Sequence, residues 1–260
     1  MSALPFTRVI GIDYSGAATA DDPLPGIRVY LAQSDAPPCE VRPAPNPRHH
    51  WTRRRLAHWL LEQLRDAPPA LVGIDHAFSF PLAYFQAHRL PLCWHAFLAD
   101  FCDHWQTDAL GVRVEDVRRG RVGRGVLRTG DARWRRLTDR RTGAKSVFHF
   151  DVTGSVAKST HAGLPWLRFL REQLGARVHI WPFDGWRVPE DASVIAEVYP
   201  SLWRARFPRE ARSADQHDAF VVAARLWQAL RSGELQAWLE PSLDAETRAL
   251  ADVEGWILGT

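Results

Sequence analysis

The sequence predicts an α/β protein, a mixed β-sheet flanked by helices. It reads as one domain over residues 1–260, with a large helical and loop insertion at about 82–177 between the fourth and fifth core strands. Three observations lead there. The phrase Val9-Ile10-Gly11-Ile12-Asp13 returns as Leu71-Val72-Gly73-Ile74-Asp75, and each is a short apolar run of buried-strand character that ends on a carboxylate. A helical pattern precedes the second phrase, which suits a right-handed crossover to a parallel neighbour. Near the C-terminus, Ser213-Ala214-Asp215-Gln216 has the form of a capping box and opens an apolar helix.

In order along the chain, residues 8–13 read as the first strand, Ile27 to Gln33 as the second and Glu40 to Arg42 as a weak third. Proline and glycine between them imply an antiparallel meander. Leu56, Trp59, Leu60 and Leu64 recur at helical spacing over Trp51 to Leu64, and Asp66-Ala67-Pro68-Pro69 stops that helix. Ala70 to Asp75 is the fourth strand. The period of two puts Val9, Gly11 and Asp13 on one face, and Leu71, Gly73 and Asp75 on one face, so parallel neighbours would deliver both carboxylates to the same end of the sheet. Within the insertion, helices are expected at Cys93 to Trp105 and Leu164 to Leu174, separated by an arginine-rich loop. Val178 to Trp181 and Val194 to Tyr199 then read as strands. In the last capped helix, Ala219, Val222, Ala223, Leu226 and Leu230 form the expected buried stripe, and Asp215 and Asp218 continue it toward the sheet.

No apolar run approaches the roughly 18 residues needed to span a membrane, and Met1-Ser2-Ala3-Leu4-Pro5 lacks the regions of a signal peptide, so the expected location is cytoplasmic. Cys39, Cys93 and Cys102 form no CxxC pair and do not suggest a disulfide framework. The one-residue spacings in Cys93-Trp94-His95 and Cys102-Asp103-His104 put each cysteine and histidine on different helix faces, against a zinc site.

The carboxylates carry the chemistry. Asp13 and Asp75 on neighbouring strands, with Asp215 and Asp218 on a helix, would gather up to four negative charges that cannot all ionise unaided. A divalent cation resolves this; oxygen-only ligands favour Mg²⁺ or Mn²⁺, and two such ions form the clamp used for hydrolysis of a phosphodiester. Each residue also has a plainer reading. Asp13 and Asp75 can bond their own turns, and Asp215 suits any first helical turn. Glu197, in the strand Val194-Ile195-Ala196-Glu197, either lines the same site or pairs with an arginine.

The net charge of +3 is mild, but arginines crowd between Arg113 and Lys145, among them Arg118, Arg119, Arg121 and Arg124. Such a segment can grip phosphates; equally, this chain uses Arg almost to the exclusion of Lys, and surface arginines are expected throughout. Gly154-Ser155-Val156-Ala157-Lys158-Ser159-Thr160 fails the P-loop pattern, although a helix starting there would offer amides, Lys158 and Ser159 to a phosphate.

Gly11-Ile12-Asp13-Tyr14-Ser15-Gly16-Ala17, Gly73-Ile74-Asp75-His76-Ala77-Phe78-Ser79-Phe80-Pro81, Glu197-Val198-Tyr199-Pro200, Asp215-Gln216-His217-Asp218-Ala219 and Glu254-Gly255-Trp256-Ile257-Leu258-Gly259 together resemble the domain-of-unknown-function 429 family, predicted nucleases with a ribonuclease-H-like fold. The resemblance runs nearly end to end, except over the arginine-rich middle. It implies a ribonuclease-H-like mixed five-stranded sheet and a two-metal nuclease. Asp13, Asp75 and Asp218 would be its metal ligands, with Asp215 and Glu197 as further catalytic candidates. Lys158, Ser159 and the arginines 118, 119, 121 and 124 would hold a DNA or RNA backbone. Two other readings stay open: an actin-like or sugar-kinase-type ATP-dependent phosphotransferase, and a non-catalytic nucleic-acid-binding module of the same fold.

Overall fold

In a computed structural model, residues 4–45 and 50–260 are described. Met1–Ala3, part of the segment read against a signal peptide, lie outside them. Strands β1 (Arg8–Asp13), β2 (Arg28–Ala32), β3 (Cys39–Glu40), β4 (Ala70–Asp75), β5 (Val178–Trp181) and β6 (Ser193–Glu197) form one mixed sheet in the order β3-β2-β1-β4-β6-β5. The meander β1-β2-β3 is antiparallel, and β1, β4, β6 and β5 run parallel. The sheet therefore has six strands where five were expected, the additional one being β5 at the edge beyond β6.

Two helical layers cover the sheet. On one face lie α1 (Arg53–Arg65), capped by the Thr52 hydroxyl, and α6 (Ala157–Leu174), with α3 (Trp94–His104) against α6. On the other lies α7 (Ala214–Ser232), whose Ser213–Gln216 capping box forms as expected. Shorter helices α2 (Leu82–Ala87), α4 (Val114–Arg118), α5 (Leu137–Thr142), α8 (Glu234–Leu239) and α9 (Ala245–Glu254) fill the ends. Strand alternation separates the two cores. Ile10, Ile12, Val72 and Ile74 pack toward α1 and α6, whereas Val9 and Leu71 pack with Ala219, Val222 and Leu226 of α7. Of the expected α7 stripe, only Leu230 stays half-buried. No helix among the described residues is long and apolar enough to cross a membrane.

Helix α6 starts at Ala157, seven residues before the expected Leu164, because it continues through Pro165. Proline removes the amide that would bond the His161 carbonyl. The buried Thr107 hydroxyl replaces it, donating to His161 O at 2.7 Å. Thr107→Val should leave that carbonyl unpaired and lower stability by about 1–3 kcal/mol. Pro165→Ala in the same background should recover part of the loss, as read by urea unfolding.

Candidate metal centre

The repeated phrase builds the centre residue by residue. In the β1–β4 ladder Gly11 pairs with Gly73, Ile12 with Ile74 and Asp13 with Asp75. The isoleucines enter the α1–α6 core, and the glycines and aspartates turn to the α7 face. There the glycines admit the helix: a Cβ on Gly11 would stand 2.4 Å from the Ala219 carbonyl oxygen, and one on Gly73 2.8 Å from side-chain atoms of Val222 and Leu226. Helix α7 consequently lies against the strands, and its first turns bring Asp215 and Asp218 toward the two strand-end carboxylates.

Electrostatics record the crowding. Burial, then Asp75, Asp215 and Asp218, push the Asp13 carboxyl well above its ordinary range, with only the Tyr14 amide holding it down. Burial, then Asp218 and Glu197, push Asp75 up to about 8, opposed by Arg204. Neither Asp75 nor Asp215 has a hydrogen-bond or ion-pair partner among the described residues. Asp218 does: Arg204 donates to both its oxygens, at 2.7 and 2.6 Å. Arg204 follows the short turn Pro200–Leu202 after β6, and nothing in the sequence singled it out.

Glu197 does not join this group. It pairs with Ile74 in the β4–β6 register and so points to the face opposite Asp75. There it accepts hydrogen bonds from Arg136, at 2.7 and 2.6 Å, and from the Phe78 amide at 3.2 Å. Arg136 also binds Asp139, and both residues are 1% exposed. Of the two sequence readings of Glu197, pairing with an arginine is the one observed. Among the described residues, no group of three or more His, Cys, Asp or Glu side chains is assembled as a ready-made metal cage. The cysteine–histidine pairs are no exception: His95 bonds Asp184, and His104 bonds the Asp100 carbonyl.

The loop after β1 is tightly held. Buried Arg53, the first residue of α1, donates to the carbonyls of Ser15 (3.2 Å), Ala17 (2.7 Å) and Ala18 (3.2 Å). Gly16 touches the first turn of α6 so closely that a Cβ there would fall 2.0 Å from Lys158 O. Exposed Lys158 and half-buried Ser159 therefore flank the Asp13 loop. Beside Asp75 opens a cleft of about 350 Å³, lined also by His76, Lys145, Gly154, Tyr199 and the Arg136–Glu197 pair.

The arginine-rich segment is mostly self-neutralised. Arg118 is bidentate to Asp151 at 2.8 and 2.5 Å, Arg119 binds Glu115 at 2.6 Å, and Arg121 binds Asp116 at 2.6 Å. These three are therefore not free phosphate grips, as the sequence reading had them. Local acids within and beside the segment outcompete that role. Arg124 alone of the four expected contacts extends into solvent without a carboxylate partner among the described residues.

No family model matches the chain, and comparison with curated proteins and with solved structures finds no significant match to either.

Proposed function

We propose that the chain is a metal-dependent phosphodiesterase acting on nucleic acid, with a ribonuclease-H-like sheet as its scaffold. The observation that carries this is the in-register pairing of Asp13 with Asp75 at the ends of parallel strands, both carboxyls raised by like charge and neither met by a basic side chain at ion-pair distance. An all-carboxylate donor set of this kind fits Mg²⁺ or Mn²⁺, one or two ions, held by Asp13 and Asp75 with Asp215 beside them. Asp218 joins only when Arg204 yields it. A bound cation supplies charge neutralisation and an activated water at neutral pH. The chain's own residues supply the rest: the Asp13 loop, fixed by Arg53, sets the carboxylate geometry, while Lys158, Lys145 and Arg124 offer positive charge to a phosphate backbone without reading sequence. The strand order β3-β2-β1-β4, with the antiparallel meander beside a parallel β4, supports the fold reading.

Cleavage of a panel of DNA, RNA, hybrid and branched substrates in Mn²⁺ or Mg²⁺ tests it. Asp13→Asn and Asp75→Asn should each lower activity by more than roughly 100-fold, since even outer-shell partners of a metal ligand are worth 10–100-fold. Undiminished activity in Asp13→Asn would sink the assignment.

Arg204→Ala should release Asp218 and strengthen Mn²⁺ binding in a titration. It should cost under about 1 kcal/mol of stability, because the pair is half-exposed on the arginine side. Weaker Mn²⁺ binding in this variant would mean that Asp218 contributes nothing to the centre.

The raised carboxyls also set a pH dependence. A group whose pKa is higher folded than unfolded stabilises the fold below its unfolded pKa and loses that contribution as pH rises through the folded value. Without divalent cation, the protein should therefore lose stability from about pH 4 up through about pH 8. Mn²⁺ should restore it at the upper end, and Asp75→Asn should flatten the profile. Melting temperatures across that range, with and without Mn²⁺, are the measurement; a flat wild-type profile contradicts the coupling.

A further inference from the structure

On the face of β1 and β4 opposite the aspartates, a small cavity lies between α1 and α6, lined by Tyr14, Arg53, Leu60, His76, Gly163 and Trp166 among others. It has room for about one ion or water. Three of its lining side chains carry buried donors with no partner: the Tyr14 hydroxyl, Arg53 Nε and Trp166 Nε1. The three residues are 8, 0 and 6% exposed. An unpaired buried donor costs about 1–3 kcal/mol, so three lining one small space call for an acceptor there.

Charge narrows what that acceptor is. Arg53 is fully buried, and no carboxylate among the described residues stands within ion-pair distance of it. Its two nearest acids are committed elsewhere: Asp21 to Arg54 at 2.7 Å, and Asp22 to the amide and hydroxyl of Thr19 at 2.9 and 2.8 Å. Arg53 is also the first residue of α1, where the helix dipole disfavours a cation, and the first turn of α1 contains no acid. The carbonyls of Ser15, Ala17 and Ala18 satisfy the guanidinium's terminal nitrogens as hydrogen-bond donors but bring no net negative charge. A buried cation without a counter-charge is costly. We propose that this cavity binds a single monatomic anion of the halide class, chloride in ordinary solution, as the counter-ion of Arg53, held by Arg53 Nε, Tyr14 Oη and Trp166 Nε1.

The occupant sits beneath the metal centre without belonging to it. Tyr14 and His76 follow Asp13 and Asp75 on their strands, and their rings meet edge-on at 4.8 Å, so the anion would brace the residues immediately after both carboxylates. The site is independent of the nuclease reading, and so is its test.

Crystals grown with bromide should show an anomalous peak in this cavity. Replacing chloride by gluconate at constant ionic strength should lower the melting temperature by about 2–4 °C, and bromide should restore it. Tyr14→Phe and Trp166→Phe, which keep the ring volumes, should each raise the half-saturating bromide concentration roughly tenfold. Arg53→Met should abolish the bromide response. If Arg53→Met does not fold, the two aromatic variants and the wild-type anion series still decide the matter. A water in place of bromide, or equal melting temperatures in chloride and gluconate, overturns the proposal.

Discussion

Arg136→Met is expected to lower stability by about 3–5 kcal/mol, the range for removing one partner of a buried ion pair. The loss follows from what the substitution strands. Glu197 sits in a central strand, 4% exposed, and both its oxygens depend on the Arg136 guanidinium. Asp139, 1% exposed, depends on the same group. Burial already raises the Glu197 carboxyl, and Arg136 is the main influence opposing that rise. Without the guanidinium, both acids must either remain charged in a dry interior or take up protons. The urea midpoint should therefore drop sharply at neutral pH and recover partly in acid. A double substitution, Arg136→Met with Glu197→Gln, should regain part of the loss, since removing both charges is less costly than stranding one. A wild-type midpoint for Arg136→Met would show that the network does not anchor the insertion.

Gly11→Ala is expected to cost about 3 kcal/mol or more, at or beyond the upper end of ordinary overpacking. The added methyl would stand 2.4 Å from the Ala219 carbonyl oxygen and 2.5 Å from the Ala223 amide nitrogen. Both are backbone atoms in the middle of a buried helix, so no side chain can rotate away. Either α7 lifts from β1 or the strand bends. In both cases Asp215 and Asp218 move relative to Asp13, and Mn²⁺ affinity should fall together with the urea midpoint. Unchanged cation binding at reduced stability would separate the helix position from the centre.

Much of this arrangement is legible in the chain. The repeated Gly-Ile-Asp places isoleucine and aspartate on opposite faces by alternation alone, and the parallel pairing of the two phrases follows from the helix between them. The capping box at Ser213 fixes the start of α7. Other features are not legible because they depend on tertiary neighbours. The glycines are needed only because α7 backbone lies over them. Pro165 reads as a helix start unless Thr107 is known to satisfy the His161 carbonyl. The face of Glu197 depends on its register against Ile74, and nothing local distinguishes Arg136 from the arginines around it. Arg53 did carry a readable signal: a cation at the first position of a helix runs against the dipole and asks for a reason.

Arg136 gives the arginine-rich stretch a second meaning. Its guanidinium reaches Glu197 on β6, and the next amide, that of Leu137, donates to Glu254 Oε2 while the Leu82 amide donates to Glu254 Oε1. The start of α5 is thus bolted to the sheet, and through Glu254 to α2 and α9. The insertion is not a detachable module: trimming the chain to a minimal sheet-and-helix core would remove the counter-charge of a residue inside that core. A shortened version would have to replace Glu197 before it could do without the segment that neutralises it.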